Sequence, residues 1–356
     1  MPRDLTHVIL ADEAAETIKS NEIFDNMEAF HMGCVTDDAF LYTFSPKLST
    51  KLHGGFGHDT REIVINMMDH LREEKNPVHA TEKKAFICGY VCHMAADSVI
   101  HPFIYSISGS QVESNNPSHD SVELSKACHR YAETWLDLHL MKKKNLTFKN
   151  FKPFRKIMKK VAMRIRLDDF FTDSFQLALN AKKYTWGDNF DLQAQFHNGM
   201  TRQFAVDEVT QNKTIGSMMR KLDKVSDGKL KMYASGFYNL DTDIPQRLTV
   251  DSFTHPVTGE TVHKSIDDLT KEAVESSVKL IHAVDEYIKS GNREIFLTAV
   301  QNLNMDTGRT GQLKDIKKVV TQEDYDSIKG ENTTSSDNTE DSFNLLRFFK
   351  KRGKSL

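Results

Sequence analysis

Residues 88–103 read CGYVCHMAADSVIHPF, and within them His93, Asp97 and His101 recur at i, i+4 and i+8. At 3.6 residues per turn that spacing stacks the three side chains on one face of an α-helix, about one turn apart. Two imidazoles and a carboxylate then share a stripe, and these are donor types that a zinc ion accepts where no thiolate is offered. Pro102 lacks a backbone N–H and crowds the preceding turn, so the helix is predicted to end at or near His101. An isolated HxxxD pair is equally what a hydrogen-bonded pair looks like, because buried polar groups need partners whatever their role.

A second stretch changes that balance. In residues 128–137, CHRYAETWLD, His129 and Glu133 are again i and i+4. On an antiparallel neighbour they can face the first stripe; alone they can equally be a surface pair contributing a few tenths of a kcal/mol. Upstream, GCVTDDAFLY offers Asp37 and Asp38, LHGGFGHDT offers His53, His58 and Asp59 in a glycine-rich loop, and His7 precedes an apolar helix. Asp59 also has the position of a helix cap before Arg61. Several such pairs would need several coincident neutral uses, and unpaired buried carboxylates are costly, so together they point to a metal cluster.

The rest of the chain reads as helical. Apolar residues recur at helical spacing over 12–20, 60–75, 82–101, 121–143, 151–163, 172–183, 266–289 and 293–303. Alternating strand patterns are scarce, which predicts an all-α fold: a multi-helix bundle with a long irregular loop near 241–263 and a short hairpin around 257–260. His255 in that loop reads as a turn histidine or as a residue bordering the site. The organisation expected is a helical core carrying the cluster at 1–145, a helical continuation or second subdomain at 146–328, a flexible linker at 329–342 and a basic amphipathic tail at 343–356. The linker, KGENTTSSDNTEDS, is polar and lacks aromatics. The tail mixes Phe343, Leu345, Leu346, Phe348 and Phe349 with Arg347, Lys350, Lys351 and Arg352, suited to peripheral contact with an anionic membrane or to docking on its own domain.

Composition narrows the partners. With 356 residues the chain can bury a multi-ligand site. The 47 basic and 50 acidic side chains leave no excess for broad phosphate-backbone binding, so no stable nucleic-acid complex is expected. No stretch has the length of a membrane span and the amino terminus does not read as a signal peptide, which makes a cytoplasmic protein the expectation. Four cysteines, Cys34, Cys88, Cys92 and Cys128, are too few for a disulfide scaffold and lack zinc-ribbon spacing, so they read as buried packing residues.

The ordered set TH, G-x4-D, HG, H-x3-D-x3-HP and H-x3-E-x3-D, over roughly residues 5–140, resembles the zinc-dependent phospholipase C family, all-helical enzymes related to the single-strand-specific zinc nucleases. The resemblance implies two to three zinc ions. His53, His93 and Asp97 resemble the ligands of one, with Asp97 bridging to a second; His101, His129 and Glu133 resemble the ligands of another. His7 matches an early histidine ligand that acts with the mature amino terminus, here the Pro2 amine once Met1 is removed. Asp38 matches an aspartate beside the cluster that accepts or orients the attacking water's proton, with Asp37 where the family has proline. His53 fits the family spacing better than His58. The implied reaction is zinc-assisted hydrolysis of a phosphodiester, a phospholipid cleaved on the glycerol side of phosphate. A single-strand nuclease, or a metal- or lipid-binding protein without turnover, are the alternatives; Glu133 favours the phospholipase pattern.

Overall fold

The structure is a computed structural model, describing residues 4–43, 45–115, 117–181, 190–226, 228–239, 248–309 and 311–329. Its axis is one 32-residue helix, Pro77–Ser108. Asn76 caps its start, accepting from the amides of Val78 and His79, and Pro77 stands where a missing N–H costs nothing. The helix does not end at His101 as predicted. It continues through Pro102, whose absent N–H leaves the Ser98 carbonyl without its helical donor, and the backbone of Gly308 packs against that carbonyl. A Cβ on Gly308 would fall 2.2 Å from the Ser98 oxygen, so only glycine allows this approach.

Helix Met27–Val35 lies on the central helix with backbone nearly touching backbone. A Cβ at Gly33 would meet the Phe86 carbonyl oxygen at 2.1 Å, and one at Gly89 would meet that of Phe30 at 1.9 Å. Helix Ile266–Ser290, closed by a Ser265/Asp268 capping box and by Gly291 in the left-handed region, covers another side. Helix His119–Lys143 packs near the far end of the axis, opened by a Ser118/Ser121 capping box.

Helix Asp4–Ile18 begins eight residues before the predicted 12–20 segment and is buried nearly all round its first half. A helix with no solvated face shows no amphipathic stripe, which is why the periodicity failed to reveal it. Its orphan first-turn amide is capped from outside: Asp137 Oδ1 accepts from the Thr6 amide and hydroxyl, each at 2.7 Å. Predicted helices 151–163 and 172–183 are instead Pro153–Lys159 and Val161–Ala181, divided at Lys160. Helices Leu192–Thr210 and Lys213–Val225 were not foreseen. In the first, Gln203 is fully buried, donating to Asp4 and to the Val35 carbonyl, so its core face is not uniformly apolar.

The fold is all-α. The sheet among the described residues is a two-residue hairpin in the predicted irregular loop, Phe253 paired with Val262 and Thr254 with Thr261. His255 is a turn residue there, its Nδ1 accepting from Val257 and Thr258 amides at 3.3 Å. All four cysteines are buried and free. No helix among the described residues is long and apolar enough to cross a membrane. The predicted linker and tail lie outside the described residues, except Lys329, which ends helix Gln322–Lys329.

Candidate metal centre

Asp97 lies at the centre of the site, fully buried, with one carboxylate oxygen toward each of two histidine pairs. Its Oδ2 is 3.1 Å from Nε2 of both His53 and His93; its Oδ1 is 3.3 Å from Nε2 of His7 and 3.6 Å from that of His101. None of these approaches has hydrogen-bonding geometry: the four Nε2 atoms and both Asp97 oxygens are buried with no hydrogen-bond partner among the described residues. Leaving so many polar atoms unsatisfied would cost on the order of 1–3 kcal/mol each, so the cluster is built for something that sits between them. With Zn–N and Zn–O bonds of about 2.0–2.1 Å, ligand atoms on a tetrahedral ion are about 3.3 Å apart, which matches these separations. The residues fit the metal.

The histidines are also turned the right way. His93 Nδ1 is 2.8 Å from the Cys34 carbonyl, His53 Nδ1 is 2.7 Å from that of Ser49, and His101 Nδ1 is 3.2 Å from that of Met305. A carbonyl only accepts, so each Nδ1 carries a proton and, in the neutral ring, each Nε2 presents a lone pair inward. The close helix approach at Gly33 and Gly89 brings the Cys34 carbonyl to His93, so a packing feature sets the tautomer of a candidate ligand. His7, on the first helix, stacks on His93 with ring centroids 4.0 Å apart. His129 Nδ1 meets the Ser108 hydroxyl at 3.0 Å, and its Nε2 is 3.0 Å from Glu133 Oε1.

Three ligand groups result: His7, His93 and Asp97; Asp38, His53 and His93; and His101, His129 and Glu133. One imidazole Nε2 serves one cation, so His93 cannot complete the first two groups at once. Asp38 Oδ1 is 3.5 Å from His53 Nε2, close enough to ligate as well as to stand beside the cluster. Asp37, fully buried, is 3.8 Å from His93 Nε2. Of the two, Asp38 lines the cleft over the centre, about 360 Å³ in volume, together with Asp4, His53, His129 and Glu133. His58 follows a tight turn, Gly55–Gly57, and joins none of the groups. Pro2 lies outside the described residues.

Sequence reasoning missed Asp306, whose Oδ1 is 3.5 Å from His101 Nδ1, and the adjacent Met305 carbonyl. It also gave no role to Asp137, the last residue of the H-x3-E-x3-D pattern, which holds Thr6 and therefore places His7; its other oxygen accepts from the Tyr238 hydroxyl at 2.6 Å.

Burial and neighbouring charge pull the ionisable groups apart. Burial lowers the His53 ring, but close contact with Asp97 and the charges of Asp306 and Asp38 push it up to about 10; His93 goes to about 9, mainly through Asp97 acting against burial. Burial holds His7 and His129 down to about 4 and His101 well below the ordinary value. Asp97 resists burial because the surrounding histidines hold it well below the carboxylate range, and Glu133 is likewise held down to about 2 against burial by positive charge that includes His129. Burial drives Asp38 well above that range and raises Asp37 and Asp306. A dense set of carboxylates thus keeps protons where a cation would otherwise supply the positive charge.

Fold and site together define an all-helical protein with a buried cluster of histidines and carboxylates that could hold metal. The model of the zinc-dependent phospholipase C family matches residues 6–186, half of the chain, and the protein belongs to that family. The match reaches beyond the 5–140 over which the motifs are legible. No curated protein and no solved structure matches the chain.

Proposed function

We propose that the protein is a zinc-dependent phosphodiester hydrolase that cleaves a phospholipid on the glycerol side of phosphate, using two or three zinc ions. The observation that carries this reading is the convergence of four partnerless histidine Nε2 atoms on Asp97, next to a cleft whose wall includes one of them, His53, with Asp38, His129 and Glu133. Zinc, when bound, offsets charge building on the phosphoryl oxygens and acidifies a water near neutral pH. The chain's own residues do the rest. Asp97 joins the two histidine pairs through separate oxygens, and His101, His129 and Glu133 make a further pole, so a phosphate group is met from more than one side. Asp38, on the cleft wall, is placed to take the proton of the attacking water or to orient it. The closed Nδ1 contacts keep the imidazoles from rotating during the reaction.

Metal analysis of the purified protein, coupled to a panel of phospholipids, a nitrophenyl phosphodiester and single-stranded DNA, tests the proposal. At least two zinc ions per chain and preference for phospholipid are expected. Fewer than two ions would defeat it, and preference for DNA would replace phospholipase with nuclease. Asp38→Asn should lower the rate about 10²–10⁴-fold while zinc is retained; loss of zinc would make Asp38 a ligand.

A further inference from the structure

Beside the metal cleft lies a second cavity of about 500 Å³ with a different character. Its wall is apolar and comes from three neighbouring elements: Val206 and Val209 on helix Leu192–Thr210, Met219 on helix Lys213–Val225, and Met232 and Tyr233 on the short helix Lys231–Ala234. Three residues, Tyr42, Arg130 and Met232, line both cavities, so the two adjoin. Among the described residues Val206 is 38% exposed, Val209 46% and Tyr233 60%. A concentration of open apolar side chains next to a catalytic cleft marks a binding surface more often than an accident of folding.

We infer that this cavity holds a hydrocarbon chain of the substrate while its phosphodiester lies against the metal centre. The inference rests on the phosphodiesterase reading and says what selects the substrate. From the cleft, with His53, His129 and Glu133 on its wall, across the shared Tyr42, Arg130 and Met232 to the apolar wall, the lining changes from ligating to apolar, as a lipid does from phosphate to chain. Met219 and Met232 are unbranched and flexible, suited to chains of varied shape. A nucleic-acid strand would want the reverse, a basic track with aromatic faces for stacking, and of the wall residues only Tyr233 and Phe237 are aromatic in the second cavity beyond the shared Tyr42. Most of the wall lies after residue 186, outside the family match, so chain selection is a property of this protein's second half.

Equilibrium binding of hexyl, octyl and decyl phosphate below their micelle-forming concentrations, measured by calorimetry on the zinc-loaded full chain, tests this. At about 0.8 kcal/mol per buried methylene, affinity should rise about fourfold per methylene, roughly two-hundredfold from hexyl to decyl. Decanol should bind far more weakly than decyl phosphate, because the head group must sit in the adjoining cleft. The surface substitutions Val206→Asp and Val209→Asp should flatten the chain-length dependence, with circular dichroism showing both variants folded. Affinity independent of chain length, decanol binding as tightly as decyl phosphate, or variants with the wild-type slope would each overturn the inference. Hydrolysis of a nitrophenyl phosphodiester separates the two proposals: turnover with no chain-length dependence removes the cavity's role alone, whereas chain-dependent binding without zinc or turnover removes the phosphodiesterase.

Discussion

The half of the chain that matches the family and the half that follows it contribute unlike things to one site. Every described ligand candidate, from His7 to Glu133, lies within residues 6–186. From the second half come the Met305 carbonyl and Asp306 beside His101, and most of the apolar wall beside the cleft. The lesson is a division of labour: the first half presents donors from several helices to one point, and the second orients one of them and shapes what can approach. If that division holds, substituting Asp97 or the histidines around it should remove metal outright, and substitutions in the second half should weaken or redirect it.

The largest effect expected is that of Asp97→Asn. An amide offers one carbonyl oxygen where the carboxylate offers two, and it removes the negative charge facing four histidines. Zinc content by mass spectrometry should fall below one ion per chain, and phosphodiester hydrolysis should fall by about a thousandfold or more, a loss of roughly 4 kcal/mol of transition-state stabilisation. A variant that kept its zinc would break the claim that Asp97 joins the ligand groups.

The second half is probed by Gly308→Val. Gly308 sits at φ +60° and its missing side chain is what lets the 304–309 turn lie on Ser98 and Pro102. Displacing that turn moves the Met305 carbonyl and Asp306 away from His101 without touching a ligand. Loss of such supporting contacts typically costs 10–100-fold in metal affinity or activity, so an effect smaller than that of Asp97→Asn but well above background is expected. An unchanged zinc affinity would mean that the second half does not hold His101.

How far the site could be read from sequence follows from the same division. His93, Asp97 and His101, and His129 with Glu133, are legible because a helix turns spacing into a shared face, and spacing is local. Asp306 is not legible: it meets His101 across 205 positions of chain through a loop that carries no periodicity. The start of the first helix is not legible because its apolar residues surround it, and Pro102 reads as a terminus because nothing near it in sequence announces Gly308. The all-helical class was legible, but helix Leu192–Thr210 was not, since it buries polar Gln203 in the interface, whereas Lys213–Val225 is strongly amphipathic and its periodicity is a signal that could have found it.

A smaller effect is expected from pH, and its sign can be worked out. In the ion-free protein His53 and His93 have raised values, about 10 and 9, so near neutrality both hold a proton on the nitrogen that zinc needs. Zinc must displace those protons, so affinity should rise as pH increases from 6 toward 9 and protons should be released on binding. His7 and His129, lowered to about 4, compete only in acid. The stability these raised histidines lend the ion-free protein is fully present below the ordinary imidazole value and is lost as pH rises through their folded values. Ion-free protein should therefore melt lower at pH 9.5 than at pH 7, while the zinc-loaded form is less affected. Calorimetry in two buffers of different ionisation enthalpy counts the protons; no release would contradict the proposed protonation.

The smallest effect should come from His58→Ala, and it sharpens the comparison inside the first half. His53 and His58 flank GGFG and are chemically equivalent in sequence. Between them Gly54, Phe56 and Gly57 all have positive φ, at 83°, 58° and 75°, and this turn carries the chain away from the centre after His53 has entered it. His53 is 1% exposed, with Nδ1 fixed on the Ser49 carbonyl and Nε2 turned toward Asp97 at 3.1 Å, whereas His58 begins the extended segment that leads through Asp59, the cap of helix Thr60–Glu73. His58→Ala should leave zinc stoichiometry unchanged and shift stability by about 0.5 kcal/mol or less, while His53→Ala should lose zinc. The reverse result would show that the turn, not the first histidine, delivers the ligand, and would move the Asp38 side of the centre out to the loop.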